Sequence, residues 1–392
     1  MSSLPLPPSV LRPSWIEVDL DAIEHNVAQI RARLDGVRLL VVVKADAYGL
    51  GAVQVSRVLE KCGVDCLGVV CLDEALQLRN AGIRLPILNM GAILPQHADR
   101  VVKQHLEQVV SDIETAQAIS AAALKHNAPA SVHLKIDTGM SRYGMPWQEV
   151  GERFGPLFQL PHLRWIGAMS HFANSDGLDK SFPLLQLSRF LQARQHLTEK
   201  GIQLPIWHIC NSGGTCDLPQ AHLDMVRVGL MVYGYYPDPE VQKPFDLHPA
   251  LSLKSVMVAV RELQRGDSVG YGRRYMAKTR ERIAVLPIGY ADGFDRKLRN
   301  VGQVLLHGCL VPIIGGLCMD ACFIRIEDVP EARCGDTATL IGRQGDLEIS
   351  PHDIAAQIGS VSYEVMARLG KRLPRVYLHH GTVCETVNQL CP

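Results

Sequence analysis

Short apolar runs alternate with amphipathic stretches from about residue 15 to residue 230. Leu39–Val43, Leu67–Val70, Pro86–Leu88, Gln108–Val110, Val132–Ile136, Trp165–Met169, Ile206–Ile209 and Met225–Val228 have the length and texture of buried strands. Between them, Asp73–Asn80, Ile113–Ala123 and Leu184–Thr198 repeat apolar residues at helical spacing. Eight such strands separated by helices predict a parallel (β/α)8 barrel of the TIM type. A doubly wound sheet is the alternative, because strand number alone does not decide closure.

The texture changes after Tyr236. Pro237–Pro249 holds four prolines and reads as a seam. Beyond it, Leu251–Val260, Arg282–Leu286, Gln303–Leu306, Val311–Ile314, Ala321–Ile326 and Thr337–Ile341 are short β-rich runs divided by turn signals. Only Ile354–Ile358 and Tyr363–Arg368 read as helical there. The expected division is an N-terminal extension (1–14), a barrel (15–245) and a mainly β domain (246–392). A first strand near 15–19 can join the last of these.

Forty basic and forty acidic residues cancel and are scattered, so nothing favours nucleic acid or an anionic membrane. With 47% hydrophobic and 20% charged residues, the composition is that of an ordinary globular protein. No run of eighteen apolar residues exists, and the segment before Ser14 is broken by prolines, which excludes an ordinary secretory signal. A cytoplasmic location is the expectation. Eleven irregularly spaced cysteines argue against a disulfide framework. Cys62, Cys66 and Cys71 have no CxxC or paired-histidine partner, so buried free thiols are expected and a metal site is not.

Barrel enzymes draw their reactive groups from the C-terminal ends of the strands. Here Lys44, His171, Asn211, Ser212 and Arg227 follow or end strands, and Lys135 and Asp137 flank another strand end. One polar residue there is only a cap, whereas several imply a shared cavity. Burial at the end of the Leu-Leu-Val-Val-Val run disfavours the charged form of Lys44 and favours a nucleophilic amine. Read alone, Lys44 is more simply a side chain reaching out of the barrel mouth.

The segment Val42-Val43-Lys44-Ala45-Asp46-Ala47-Tyr48-Gly49 resembles the cofactor-lysine motif of the alanine racemase family. In the same order follow Lys135-Ile136-Asp137-Thr138-Gly139-Met140-Ser141-Arg142, Ser170-His171-Phe172-Ala173, Asn211-Ser212 and Val226-Arg227-Val228-Gly229. Val269-Gly270-Tyr271-Gly272, Gly289-Tyr290-Ala291-Asp292-Gly293, Cys318-Met319-Asp320 and Ser362-Tyr363-Glu364 complete the series across about residues 15 to 375.

The resemblance implies a pyridoxal 5'-phosphate-dependent racemase that interconverts L- and D-alanine and supplies D-alanine for peptidoglycan. Lys44 resembles the Schiff-base lysine and the acid/base on one substrate face. Tyr271 resembles the acid/base on the other face, contributed by the partner subunit of a homodimer with shared sites. A phenol ordinarily keeps its proton to about pH 10, so such a base needs help. His171 resembles the histidine that bridges the tyrosine to Arg227. Arg227 resembles the residue facing the pyridine nitrogen; an arginine keeps its proton and leaves that nitrogen unprotonated.

Phosphate anchoring is implied for Ser212, Gly229, Leu230, Tyr48 and Tyr363. A serine and two glycines after a strand also offer a hydroxyl and open amides on physical grounds, although Ser-Gly-Gly read alone is a turn. Arg142 matches a substrate-carboxylate position, Lys135 one that is carbamylated in some members, Met319 a backbone-amide contact and Tyr290 a pocket-lining tyrosine. Val228, Gly213, Gly214 and Ala321 depart from the family's commonest residues and bear on substrate preference. A serine-preferring or broader racemase is the alternative, and a non-catalytic cofactor-binding barrel is disfavoured by the 145 or so residues after the seam.

Overall fold

The structure is a computed structural model and describes residues 10–391. The expected extension 1–14 therefore lies largely outside the described residues. The chain forms two compact units. Among the described residues, one consists of Ile23–Ala47 and Ala52–His248; the other takes residues 10–22, the tetrapeptide Tyr48–Gly51 and residues 249–391.

The first unit is a barrel of parallel strands. Arg38–Val42, Cys66–Val69, Ile87–Asn89, Glu107–Val110, Ala130–Asp137, Leu163–Met169, Ile206–His208 and Met225–Val228 lie side by side in chain order. The Met225–Val228 strand pairs with Arg38–Val42. At the last junction, backbone bonds run from Asp224 N to Trp207 O and from Arg227 N to Cys210 O, each 3.1 Å. Chain-order neighbours and these bonds make a barrel, since a doubly wound sheet reverses its order at a switch point. Leu39, Leu40 and Val41 are fully buried, as expected of strands covered on both faces.

The helices cover that barrel with apolar stripes. Ser181–Glu199 buries Pro183, Leu187, Phe190, Ala193 and Leu197, a spacing of three to four residues. Ile113–Lys125 starts where the Asp112 carboxylate accepts from Thr115 N at 2.7 Å, satisfying one orphan amide of the first turn.

The second unit is built on a mainly antiparallel sheet. Its order is Ala259–Leu263, Glu281–Leu286, Cys322–Arg325, Cys309–Ile314, Gln303–Leu306, Thr337–Gln344, Leu251–Val256, Ser14–Asp19, Arg375–His379 and Thr382–Val387. The expected single run Leu251–Val260 is two strands, Leu251–Val256 and Ala259–Leu263, because the pairing partner changes across Met257 and Val258, from Thr337–Gln344 to Glu281–Leu286. The first strand, for which the sequence left either domain open, and Tyr48–Gly51 belong to this unit. Ser14–Asp19 pairs with Leu251–Val256 and, in parallel, with Arg375–His379, a register no local pattern encodes. Arg375–His379 and Thr382–Val387 are missing from the expected strands for a related reason. Arg375–His379 buries an arginine and Thr382–Val387 buries no residue, so no clean apolar run marks either.

Arg375 is almost wholly buried in this unit. It donates from Nε and Nη2 to the Gly49 carbonyl at 3.1 and 3.0 Å, and further to the carbonyls of Leu369, Gly370 and Leu373. Tyr377 Oη adds a bond to Leu50 O at 2.9 Å. A buried guanidinium is tolerable only when its hydrogens are used, and the same bonds satisfy carbonyls that cannot reach water. Arg375→Met, of similar volume, is expected to destabilise the protein by about 3 kcal/mol or more. Chemical denaturation checks this, and an unchanged midpoint would show that those carbonyls find other donors.

Candidate active site

Lys44 directly follows the Arg38–Val42 strand and Val43. Tyr233 Oη donates to Val42 O at 2.8 Å and fixes the strand end in front of it. After Lys44 the chain makes a left-handed turn: φ is 51° at Ala45, 56° at Asp46, 52° at Ala47 and 57° at Tyr48. Each such residue costs roughly 1–2 kcal/mol because its Cβ crowds a carbonyl. Side-chain bonds offset that cost. Glu74 accepts from Ala45 N at 2.7 Å and from Val70 N at 3.0 Å, and Asp46 accepts from Ala52 N at 2.8 Å. A right-handed turn would send Lys44 and its successors along another path, so the strain is tied to the aim of the lysine. Burial, reinforced by the Arg142 guanidinium, pushes the Lys44 amine below its ordinary pKa, against an opposing pull from Glu74.

Arg227 is 3% exposed near the end of the Met225–Val228 strand. Nη1 donates to His208 Nδ1 at 3.0 Å, and Nη2 donates to His171 Nδ1 at 3.0 Å, Ser170 O at 2.8 Å and Ile209 O at 3.1 Å. Because arginine only donates, both histidines accept on Nδ1 as long as the guanidinium holds this place, which leaves their hydrogen on Nε2. Burial first and the Arg227 charge second hold His171 and His208 well below the usual histidine pKa, so both are neutral. Burial also lowers Arg227, to about 10, which still leaves it protonated at neutral pH.

Lys135 is 2% exposed, and burial with the Arg227 and Arg142 charges lowers it to about 7. Lys135 and Arg142 both face the Tyr143 ring, at 5.8 and 5.3 Å, and Tyr143 Oη is held by Met90 O at 2.6 Å. Asp137, one of the polar groups expected at the strand ends, is a loop organiser. Its Oδ1 accepts from the amides of Gly139, Met140 and Ser141. Ser212 opens the helix Ser212–Asp217, where Asn211 caps Gly214 N at 3.0 Å. Ser212 Oγ accepts from Gly229 N at 3.1 Å, so two expected phosphate ligands satisfy each other here. Leu230 follows, fully buried, at the start of a 3-10 turn.

The two glycines after Ser212 have a local cause. A Cβ at residue 213 would stand 1.8 Å from Asp176 Oδ1, and one at residue 214 would stand 2.9 Å from the Phe172 ring and 3.0 Å from Cys210 Sγ. Glycine is what lets Asp176 and Phe172 pack this closely.

In the second unit, Tyr271 begins a 3-10 turn at the tip of the Ser268–Val269/Tyr275–Met276 hairpin and is 75% exposed. Gly270, at φ 69°, bridges to Gly316. Tyr290 N donates to Cys318 O and Ala291 N to Met319 O, while Cys318 N donates to Ala321 O at 2.8 Å. Tyr271, Tyr290 and Met319 thus share one loop cluster, with Ala321 closing the turn that carries Met319. Tyr48 and Tyr363 form a separate pair, their rings 6.1 Å apart. Burial pushes the Tyr48 phenol up, so it keeps its proton.

Sequence reasoning misses Glu74, His133, Tyr143, Asp176 and His208. A signal exists for one of them: His133 and Lys135 are two apart on a strand and so share a face. His208 is hidden inside an apolar run and reads as strand.

A lysine amine, a buried arginine on two neutral histidines and an amide-rich turn all stand at the C-terminal ends of barrel strands, the face on which barrel enzymes carry their chemistry. Comparison with known proteins makes this specific. The chain matches the model of the alanine racemase N-terminal domain over residues 18–237 and that of the alanine racemase C-terminal domain over residues 250–377. An alanine racemase of Desulfovibrio desulfuricans is 41% identical over 368 residues, 94% of this chain and 98% of that protein. One of Clostridium tetani is 38% identical over 376 residues, 95% of this chain and 97% of the relative. The crystal structure of alanine racemase from Bacillus anthracis with bound L-Ala-P matches with a TM-score of 0.92 and 35% identity, over 97% of this chain and 98% of that one. The chain belongs to the alanine racemase family, a family of pyridoxal-phosphate-dependent isomerases.

The neutral histidines have a consequence for acid stability. Their folded pKa values lie below the unfolded value of 6.5, so at lower pH the unfolded chain binds protons that the native state refuses. Their effect is therefore absent above the unfolded value and destabilising below it. Melting curves between about pH 6.5 and 5 should show Tm falling, with a shallower slope in His208→Gln. An unchanged slope would mean that other groups set the acid limb.

Proposed function

We propose that this enzyme interconverts L- and D-alanine through two opposed acid/base groups, Lys44 and Tyr271. The carrying observation is Arg227, a buried cation that uses one Nη1 hydrogen on His208 and keeps a second for an acceptor. Such a donor suits the ring nitrogen of pyridoxal phosphate. The other groups also fit that cofactor: an amine with lowered pKa at Lys44, the hydroxyl and amides of Ser212, Gly229 and Leu230, and the hydroxyls of Tyr48 and Tyr363. The bond between Ser212 and Gly229 brings these two groups together, where they can turn to an anion. When bound, the cofactor supplies a conjugated ring that takes up density from the substrate's Cα–H bond.

Lys44 Nζ takes or returns the proton on one face of the substrate carbon, and burial shifts its pKa in the direction that favours the basic form. Tyr271 Oη serves the opposite face. His171, neutral with its hydrogen on Nε2, is the donor available to stabilise a tyrosine oxygen that has lost its proton. Arg142 and the Met319 amide hold the substrate carboxylate, and Tyr290 lines the pocket.

Tyr271, Met319 and Tyr290 are 75%, 51% and 42% exposed within one loop cluster, which supports a homodimer in which each subunit completes the other's site. No helix among the described residues is long and apolar enough to cross a membrane, and the cytoplasm is the proposed location. Lys135 is proposed to be carbamylated. Its near-neutral pKa leaves an amine that can add CO2 to give a carbamate and one proton, placing a negative charge beside Arg142. The wild type should then show a carbamate carbon signal in 13C-bicarbonate that is absent in Lys135→Ala.

Tyr271→Phe should keep the visible absorption of the bound cofactor yet lose about 10²–10⁴-fold in racemisation, whereas Lys44→Ala should lose that absorption. Chiral chromatography of L- and D-alanine, with serine alongside, reads the activity; near-normal turnover by Tyr271→Phe would sink the two-base assignment. Mixing the two inactive variants should restore some activity, because a heterodimer rebuilds one intact site. No recovery after demonstrated subunit exchange would count against shared sites.

A further inference from the structure

Arg227 is one end of a hydrogen-bond chain that runs through the barrel interior. His208 accepts from Arg227 on Nδ1 at 3.0 Å, and its Nε2 lies 3.0 Å from His133 Nδ1. His133 Nε2 lies 3.3 Å from Glu107 Oε2. Both histidines are fully buried, with rings edge-on at 5.0 Å. Glu107 is the first residue of its strand, and its side chain is 22% exposed.

Two features of the strands admit this chain. Pairing between Ala130–Asp137 and Leu163–Met169 slips between Val132 and His133, which re-aims the histidine. Opposite it stands Gly167, where a Cβ would lie 2.4 Å from His133 Nδ1 and 2.8 Å from its Cε1. Any other residue there would push the imidazole off its line.

We propose that Glu107 is a positioning residue for Arg227, acting at a distance by fixing the tautomers of both histidines. The proposal rests on the catalytic role given to Arg227 above. Chain polarity carries the reasoning. Arginine has only hydrogens to give, and an ionised carboxylate has only lone pairs. With a donor at one end and an acceptor at the other, each imidazole must accept on Nδ1 and donate from Nε2. The four groups then form one directed row, Arg227 to His208 to His133 to Glu107, in which each bond polarises the next.

Without the carboxylate, His133 is free to carry its hydrogen on Nδ1. It then donates to His208 Nε2, and His208 must hold its own hydrogen on Nδ1, facing the Arg227 N–H. Two donors cannot share that 3.0 Å gap, so the guanidinium turns away from its place. Glu107 thus decides, from the strand's N-terminal end, whether Arg227 stays in line.

The test uses full-length protein with 15N-labelled histidine and long-range 1H–15N correlation at about pH 7.5, where neutral tautomers are distinguished by their nitrogen shifts. Wild type should show protonated Nε2 and bare Nδ1 at both His133 and His208. Glu107→Leu should give mixed tautomers at both, and kcat for alanine should fall roughly tenfold or more with KM little changed. Glu107→Gln keeps the volume and offers an NH2 as readily as an oxygen. It should also mix the tautomers, and it carries the test if the leucine variant does not fold. Wild-type rings holding the Nδ1–H form, or unchanged tautomers and kcat in the variants, would overturn the proposal. The spectra do not depend on turnover, so a protein that fails to racemise alanine would refute the proposed activity while leaving the tautomer result to be read.

Discussion

A guanidinium that cannot reach water must give its hydrogens to acceptors brought inside the fold, and the groups around Arg227 are arranged by that constraint. Its partners are two imidazoles and two main-chain carbonyls, none of them anionic. The charge is therefore held by dipoles. Burial first and this charge second keep His171 and His208 neutral and lower Lys135, so the cation reinforces what burial begins. The outcome is a neutral imidazole at His171, a protonated guanidinium at Arg227 and, at Lys44, an amine whose pKa is lowered by burial.

Backbone strain is the second constraint, and it sits next to the lysine. Four consecutive left-handed residues, none of them glycine, are tolerated only because Glu74 and Asp46 occupy the amides that the turn exposes. Glycine appears where it is unavoidable: before Tyr271, beside His133, and after Ser212 where Asp176 and Phe172 press in. The departures Gly213 and Gly214 are thus consequences of how tightly Asp176 and Phe172 pack.

Much of this fold is legible in the amino-acid sequence. The eight apolar runs have boundaries close to those of the observed strands, because a strand covered on both faces must be apolar throughout. The motif lysine, arginine and histidine all fall at strand ends. Boundaries fail where burial is not apolar: Arg375–His379 carries a buried arginine, and Ser14–Asp19 owes its place to partners far along the chain. His208 passes for strand interior because a buried neutral imidazole looks like one more core residue.

The sequence by itself determined the alternation that makes a barrel, the change to antiparallel texture after the proline seam, and the residue types able to do amine chemistry. These are local properties, written in spacing and in the chemistry of single side chains. Only the tertiary structure decided which atom faces each ring nitrogen, the direction in which the Lys135 amine is shifted, and that Glu107 and Arg227, 120 positions apart in sequence, stand at two ends of one row. Tautomer and pKa depend on what lies about three ångströms away, and nothing in the local sequence specifies that neighbour.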